Sequence, residues 1–276
     1  MTSEITSDFV EVSGLRLHFT QAGEGEPVLL LHGWPTSSYL WRNVMPPIAA
    51  SHRVIALDLP GFGRSDKPLD ASYSFRFFER VLTEFLDALE IDRLSLAVHD
   101  LGGPVGLFWA TAHRERVQSL ALLNTLVYPE ASWAVKAFVL AVSLPGLRRM
   151  ATSPWALKKT MQVGVRDRRR LAPEVIEQVQ APFRSPDART ALAKTGRGLS
   201  PKGFVSIARK LPEFDCPVRV VYGARDRVLP DVARTMERVK KDLPQTEVTA
   251  LQDCGHFLQE ERPEDVGALL AEFFAR

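Results

Sequence analysis

Ala97-Val98-His99-Asp100-Leu101-Gly102-Gly103 (AVHDLGG) closes an apolar run that begins at Leu94 and opens onto PVGLFWATA. A run this continuously apolar is what a strand buried on both faces presents. The paired glycines mark a turn too tight for a β-carbon. The local reading is strand, sharp turn, helix, with Asp100 held at the turn. Its carboxylate would lie near the N-terminus of the helix, where backbone N–H groups and the helix dipole favour negative charge. A plain strand-end turn with a capping aspartate has the same local pattern, so the rest of the chain must decide.

Working outward, the same strand signature recurs in VLLLH (Val28 to His32), RVIALDLP, LALLN (Leu120 to Asn124) and VRVVYG (Val218 to Gly223). Two short strands around a Gly turn, Phe9 to Val12 and Leu15 to Gln21, precede them. Phe78, Val81, Leu82, Phe85 and Leu89 recur at helical spacing, as do Val266, Leu269, Leu270, Phe273 and Phe274. Buried strands alternating with helices predict an α/β fold, a mostly parallel central sheet flanked by helices. The alternation stops after Asn124 and resumes at Val218. Residues 125–212 are strand-poor and rich in Pro, Arg and Ala, and they predict a helical cap inserted over the carboxyl edge of the sheet. The expected division is a core in two parts, 1–124 and 213–276, with the cap at 125–212. The basic cluster Arg166 to Arg170 (RDRRR) reads as solvated surface.

Composition excludes several function classes. The chain has 276 residues, 45% hydrophobic and 25% charged, as an ordinary globular protein has. A net charge of +2 is too small for a dedicated nucleic-acid surface. The acidic, core-less start MTSEITSDFVEVSG is no secretory signal. The longest apolar run, Ala137 to Leu144, falls far short of the ~20 residues of a membrane span. The expectation is a cytoplasmic protein with no membrane or nucleic-acid partner. Cys216 and Cys254 are too few for a disulfide framework and read as small apolar filler. The histidines lack metal-ligand spacing. GEGEP (Gly23 to Pro27) is followed by neither Lys nor a helix start, so it is no nucleotide loop. No metal and no cofactor are expected.

Four further loops stand in meaningful order around Asp100: LHGWP (Leu31 to Pro35), DLPGFGRSDKP (Asp58 to Pro68), ARD (Ala224 to Asp226) and DCGHF (Asp253 to Phe257). Nucleophile at a strand–turn–helix elbow, then acid, then histidine is the order of the α/β-hydrolase fold. The chain resembles the α/β-hydrolase superfamily over essentially its full length. Within it, the chain is most similar to the branch with an aspartate nucleophile, the haloalkane dehalogenases and epoxide hydrolases. HGWPTSSYLWRNV (His32 to Val44) and the VHD ending in Asp100 resemble the dehalogenases most. The resemblance implies Asp100 as nucleophile, His256 as base, Asp226 as its orienting acid, and the Trp34 and Leu101 amides as oxyanion hole. Some relatives place the acid one strand earlier; that position here is Asn124, which cannot ionise. Asp253 and Glu260 are expected to decorate the histidine's loop. His18, His52, His99 and His113 read as structural, and His32 belongs to its turn.

An aspartate suits displacement at tetrahedral carbon better than acyl transfer, where it would give a labile anhydride. Attack would yield an ester of the enzyme itself, which His256 would hydrolyse by taking a proton from water. The expected partners are a small apolar organic substrate and water. The leaving group is less well specified. Dehalogenases commonly place a tryptophan directly after the nucleophile, and this chain has Leu101. Trp34, Trp133 and Trp155 are alternative N–H donors; for Trp34 a packing role is an equal alternative, and for the two cap tryptophans packing is the leading one. Trp41 and Trp109 read as packing residues. Epoxide hydrolases of the family usually supply two cap tyrosines, and only Tyr128 lies near the cap. Haloalkane dehalogenase-like hydrolysis leads, epoxide hydrolysis through Tyr128 follows, and a non-catalytic ligand binder on the same scaffold is the reading from another class.

Overall fold

The computed structural model describes residues 4–276. Eight strands form one sheet in the order β1-β2-β4-β3-β5-β6-β7-β8. They are β1 (Thr6–Val12), β2 (Leu15–Ala22), β3 (Pro27–Leu31), β4 (Arg53–Leu57), β5 (Leu94–Asp100), β6 (Val117–Thr125), β7 (Val218–Gly223) and β8 (Glu247–Leu251). β1 and β2 pair as an antiparallel hairpin, and β2 joins β4 antiparallel. From β4 through β8 every pair is parallel.

The buried runs explain the centre of this sheet. Every residue of β5 is buried, and β3, β4 and β6 are nearly so, as helices on both faces require. The helix Phe75–Ala88 buries Phe78, Val81, Leu82 and Phe85. The helix Pro263–Phe274 buries Val266, Leu270, Phe273 and Phe274. Leu89 and Leu269 of the same apolar sets are only partly buried and pack at the edge of the core.

The chain leaves β3 for β4 on one side and returns to place β5 on the other. The carboxyl ends of β3 and β5 therefore flank the point where strand order reverses, where open α/β sheets bind ligands. Between β6 and β7, six α-helices follow one another: Trp133–Ser143, Pro145–Ala151, Pro154–Gly164, Pro173–Gln180, Pro186–Thr195 and Pro201–Lys210. Five begin with Pro in the first turn, where the missing N–H costs nothing.

Candidate active site

β5 ends in Asp100 and the helix Gly102–Ala112 starts two residues later. Asp100 adopts φ +49°, the left-handed region that non-glycine residues rarely enter. The turn is held from beneath, since Thr125 Oγ1 donates to the Asp100 carbonyl at 2.6 Å. It is also tight. A β-carbon on Gly102 would lie 2.5 Å from the Leu31 carbonyl oxygen, and one on Gly33 would lie 2.2 Å from the Asp100 β-carbon. The glycines are a steric requirement for bringing the β3 and β5 loops together.

The side chain of Asp100 meets four groups. The Trp34 amide donates to Oδ1 at 2.7 Å, and the nearby Leu101 amide helps to favour the charged carboxylate. His256 Nε2 stands 3.4 Å from Oδ2. His99 adds a smaller electrostatic influence. Burial acts to raise the Asp100 pKa, but the His256 contact and the amides outweigh it and hold the carboxyl below its ordinary value.

His256 is completely buried. Its Nδ1 lies 2.7 Å from Asp226 Oδ2, so that nitrogen carries the proton and Nε2 faces Asp100. Burial would lower the imidazole pKa, yet the Asp226 charge and the two carboxylate contacts push it up to about 10. Asp226 is itself anchored: Oδ1 accepts the Val228 and Leu229 amides at 2.7 and 2.8 Å. Asn124 Nδ2 donates to Oδ2 at 2.6 Å.

The histidine loop is tied from two further sides. Gly164, which ends the helix Pro154–Gly164, accepts the His256 amide at 2.6 Å. Buried Glu261 accepts the Gly255, Arg166 and Asp167 amides at 2.7, 2.7 and 2.9 Å. Glu260, next in sequence, instead forms a two-pronged pair with Arg42 at 2.7 and 2.8 Å. Asp253 takes no part in the triad. Glu261 and Gly164 escaped sequence reading because Glu261 reaches backbone amides 94 and 95 residues away and Gly164 contributes only its carbonyl.

The remaining histidines are structural. His99 donates from Nε2 to the His256 carbonyl at 3.0 Å, and burial drops its pKa to about 3, so it stays neutral. His32 Nδ1 donates to the Gly33 carbonyl, and its Nε2 accepts the Leu59 amide. His18 pairs with the buried Asp58 at 2.7 Å. His52 contacts the Phe274 carbonyl at 3.0 Å. His113 stacks on the Trp109 ring at 5.2 Å.

Asp100 opens onto a cavity of about 450 Å³, lined largely by apolar side chains such as Leu101, Leu126, Phe138, Val163 and Leu229. Its polar lining besides Asp100 comes from Lys159, Thr160 and Arg227. Much of the wall comes from the six inserted helices.

The structure separates the four leaving-group candidates. Trp34 lines the cavity, but its indole N–H donates to the Leu192 carbonyl at 3.3 Å and is not free. Trp133 is 75% exposed and outside the lining. Tyr128 is also outside it: its hydroxyl donates to Asp242 at 2.8 Å, with Arg238 over its ring. Those three expectations are corrected, in each case because another partner or solvent claims the group. Trp155, though 64% exposed, lines the cavity where Trp133 does not, and its N–H has no protein hydrogen-bond partner among the described residues. Trp41 and Trp109 are fully buried packing residues, as expected.

Comparison with known proteins agrees with this architecture. The family profile described as alpha/beta hydrolase fold matches residues 26–263. A haloalkane dehalogenase of Sphingobium indicum is 34% identical, over 97% of this chain and 95% of its own. The crystal structure of the haloalkane dehalogenase DbeA from Bradyrhizobium elkani superimposes with a TM-score of 0.88 at 26% identity, covering 99% of this chain and 98% of the other. The epoxide hydrolase CorEH superimposes with a TM-score of 0.86 at 26% identity, covering 99% of both chains. The chain belongs to the α/β-hydrolase family, in the branch that holds the haloalkane dehalogenases.

Proposed function

We propose that this hydrolase cleaves a carbon–halogen bond in a small apolar compound, through an ester formed on Asp100, to give an alcohol and halide. The observation that carries the reading is a carboxylate, kept ionised at the floor of an apolar cavity, with an Asp226-oriented imidazole 3.4 Å behind it. The 34% identity to a haloalkane dehalogenase points the same way.

In the first step Asp100 Oδ2 attacks the tetrahedral carbon in line, the carbon–halogen bond breaks and the halide departs with the electron pair. Oδ1 stays on the Trp34 amide. Trp155 lines the same cavity and is the indole we assign as donor to the departing halide. The ester now carries no charge, so His256 faces only one carboxylate, Asp226. Its proton affinity falls from the high value set by two anions, and Nε2 becomes able to accept a proton from water. The resulting hydroxide adds to the Asp100 carbonyl carbon. Negative charge collects on Oδ1, which the Trp34 amide already holds and which the Leu101 amide would also serve, and such donors are worth roughly 100- to 1000-fold in rate each. As the adduct collapses, the proton held on Nε2 passes to the departing oxygen, the alcohol leaves, and the new carboxyl group gives a proton back to Nε2, restoring the carboxylate. The helices of residues 125–212 act as a cap that keeps bulk water from the ester.

Epoxide hydrolysis is the weaker reading. An opening epoxide oxygen needs a proton donor, and the Tyr128 hydroxyl is committed to Asp242. The deciding experiment is His256→Phe incubated with short bromoalkanes and weighed intact. A stable adduct of one alkyl group with one equivalent of halide released is expected; no adduct and no halide would remove the dehalogenase reading, and diol from epoxides by the wild type would install its rival.

A further inference from the structure

The segment from Ala131 to Arg166 contains six Lys or Arg residues and not one Asp or Glu. Eight of the eleven large hydrophobic side chains exposed among the described residues also fall within it. The helix Trp133–Ser143 concentrates this. Its inner side, with Ala134, Val135 and Phe138, lines the cavity. Its outer side carries Trp133, Lys136, Ala137, Leu140 and the following Leu144 at helical spacing, all exposed. A helix apolar on both sides belongs in a core or against lipid, yet only Val142 of this helix is buried. The next helix, Pro145–Ala151, buries nothing and exposes Met150 at 56% beside Arg148 and Arg149. Trp155, 64% exposed, and Lys158 continue the face.

We infer that this face docks on an anionic lipid surface. Basic side chains interspersed with exposed Trp, Leu and Met are the composition of surfaces that lie in the headgroup region. Lys159 lines the cavity and Arg166 stands beside Asp253 and Glu261; the other four, Lys136, Arg148, Arg149 and Lys158, form no ion pair among the described residues and remain available to lipid phosphates. A second copy of the chain is the poorer occupant, because self-pairing would set the four uncompensated cations Lys136, Arg148, Arg149 and Lys158 against four more. No helix of the described residues is long and apolar enough to cross a membrane. The expectation of no membrane partner rested on span length, and lying on a bilayer is a different property. The same helices wall the cavity, so an apolar substrate dissolved in the bilayer would reach Asp100 from the docked side. That delivery rests on the hydrolase reading; the docking does not.

The test is co-sedimentation at physiological ionic strength with phosphatidylcholine vesicles containing about a quarter phosphatidylglycerol, beside phosphatidylcholine alone. The wild type is expected to pellet with the anionic vesicles and only weakly with the neutral ones. Leu140→Gln/Leu144→Gln/Met150→Gln, which touches neither core nor cavity lining, is expected to stay in the supernatant with both. Arg148→Gln/Arg149→Gln/Lys158→Gln is expected to lose on the order of a hundredfold in partitioning to the anionic vesicles alone. Thermal melts followed by circular dichroism confirm folding without reference to activity. A wild type that ignores anionic vesicles, or an apolar variant that binds them equally well, overturns the inference. So does a wild-type dimer in light scattering that the apolar variant dissociates while vesicles are ignored, which would assign the face to a second copy.

Discussion

Asn124 donates from Nδ2 to Oδ2 of Asp226 at 2.6 Å, the same oxygen that holds His256. Its own Oδ1 accepts the Gly223 amide at 2.8 Å, so one side chain ties the end of β6 to the end of β7 and aims the acid. Asn124 is a positioning residue. Asn124→Ala leaves a buried amide and a carboxylate lone pair unmatched, at about 1–3 kcal/mol of stability. Alkylation needs no base and should proceed within about twofold of wild type, whereas ester hydrolysis should slow roughly tenfold, equivalent to ~1.4 kcal/mol of barrier. Rapid-quench kinetics would show a halide burst followed by a slow phase. A uniform fall in both phases would mean that Asn124 merely supports folding.

Proton affinity at His256 supplies a second expectation. Its folded pKa of about 10 lies above the 6.5 of a free imidazole. A group raised in this way adds stability that is complete below pH 6.5 and drains away as pH climbs toward about 10. Asp100→Asn removes one of the two anions, so the raised value drops and the draining window narrows. The melting temperature of the wild type should therefore decline more steeply between pH 7 and pH 10 than that of the variant, a range taken from the shift itself. The imidazole Cε1 proton, followed by NMR, should titrate lower in Asp100→Asn. Equal titration in both proteins would show that Asp100 does not reach the ring electrically.

Gly33 tests the elbow. An added methyl would meet the Asp100 β-carbon at 2.2 Å, and Asp100 stands on the strand beside it in the sheet. Gly33→Ala should push the carboxylate off the Trp34 amide and cost about 1–3 kcal/mol in overpacking. Alkylation should fall by more than the stability loss implies, since a misplacement of ~1 Å can cost about a hundredfold in rate. An alanine variant with wild-type burst kinetics would show that the loop yields freely.

Much of this architecture was legible because buried parallel strands are written as apolar runs. VLLLH, LSLAVHD and VRVVYG each became a strand, and the loops after them carry Trp34, Asp100 and Asp226. Asp226 and His256, 30 residues apart, were readable because ARD ends the strand VRVVYG and DCGHF follows it in the chain order the fold requires. Side-chain aim was not legible. Whether Trp34 turns its N–H into the cavity depends on the Leu192 carbonyl 158 residues away. Tyr128 looked like a hinge donor until Asp242 and Arg238, brought in by a helix after β7, claimed it. Asn124 cannot ionise, yet its amide is what holds the charged residue. Contacts set by packing between distant segments leave no periodicity to read.

Trp155 and Trp34 give the last expectation, because they carry the same group in opposite situations. Both line the cavity, but the Trp34 N–H is spent on Leu192 while that of Trp155 has no protein partner among the described residues. If a halide departs against Trp155, Trp155→Phe removes the donor where charge develops. The alkylation step should slow on the order of 100-fold, as for loss of one oxyanion-hole donor, and the hydrolysis step should not change. Trp34→Phe keeps the backbone amide that holds Oδ1, and the phenyl ring can still pack on Phe138, whose ring lies 4.7 Å away. It loses one neutral hydrogen bond, so stability should fall by about 0.5–1.5 kcal/mol with little effect on the burst. Pre-steady-state halide release beside thermal melts separates the two variants. If Trp34→Phe slows alkylation and Trp155→Phe does not, the indole of Trp34 must leave Leu192 when substrate binds, and the donor assignment reverses.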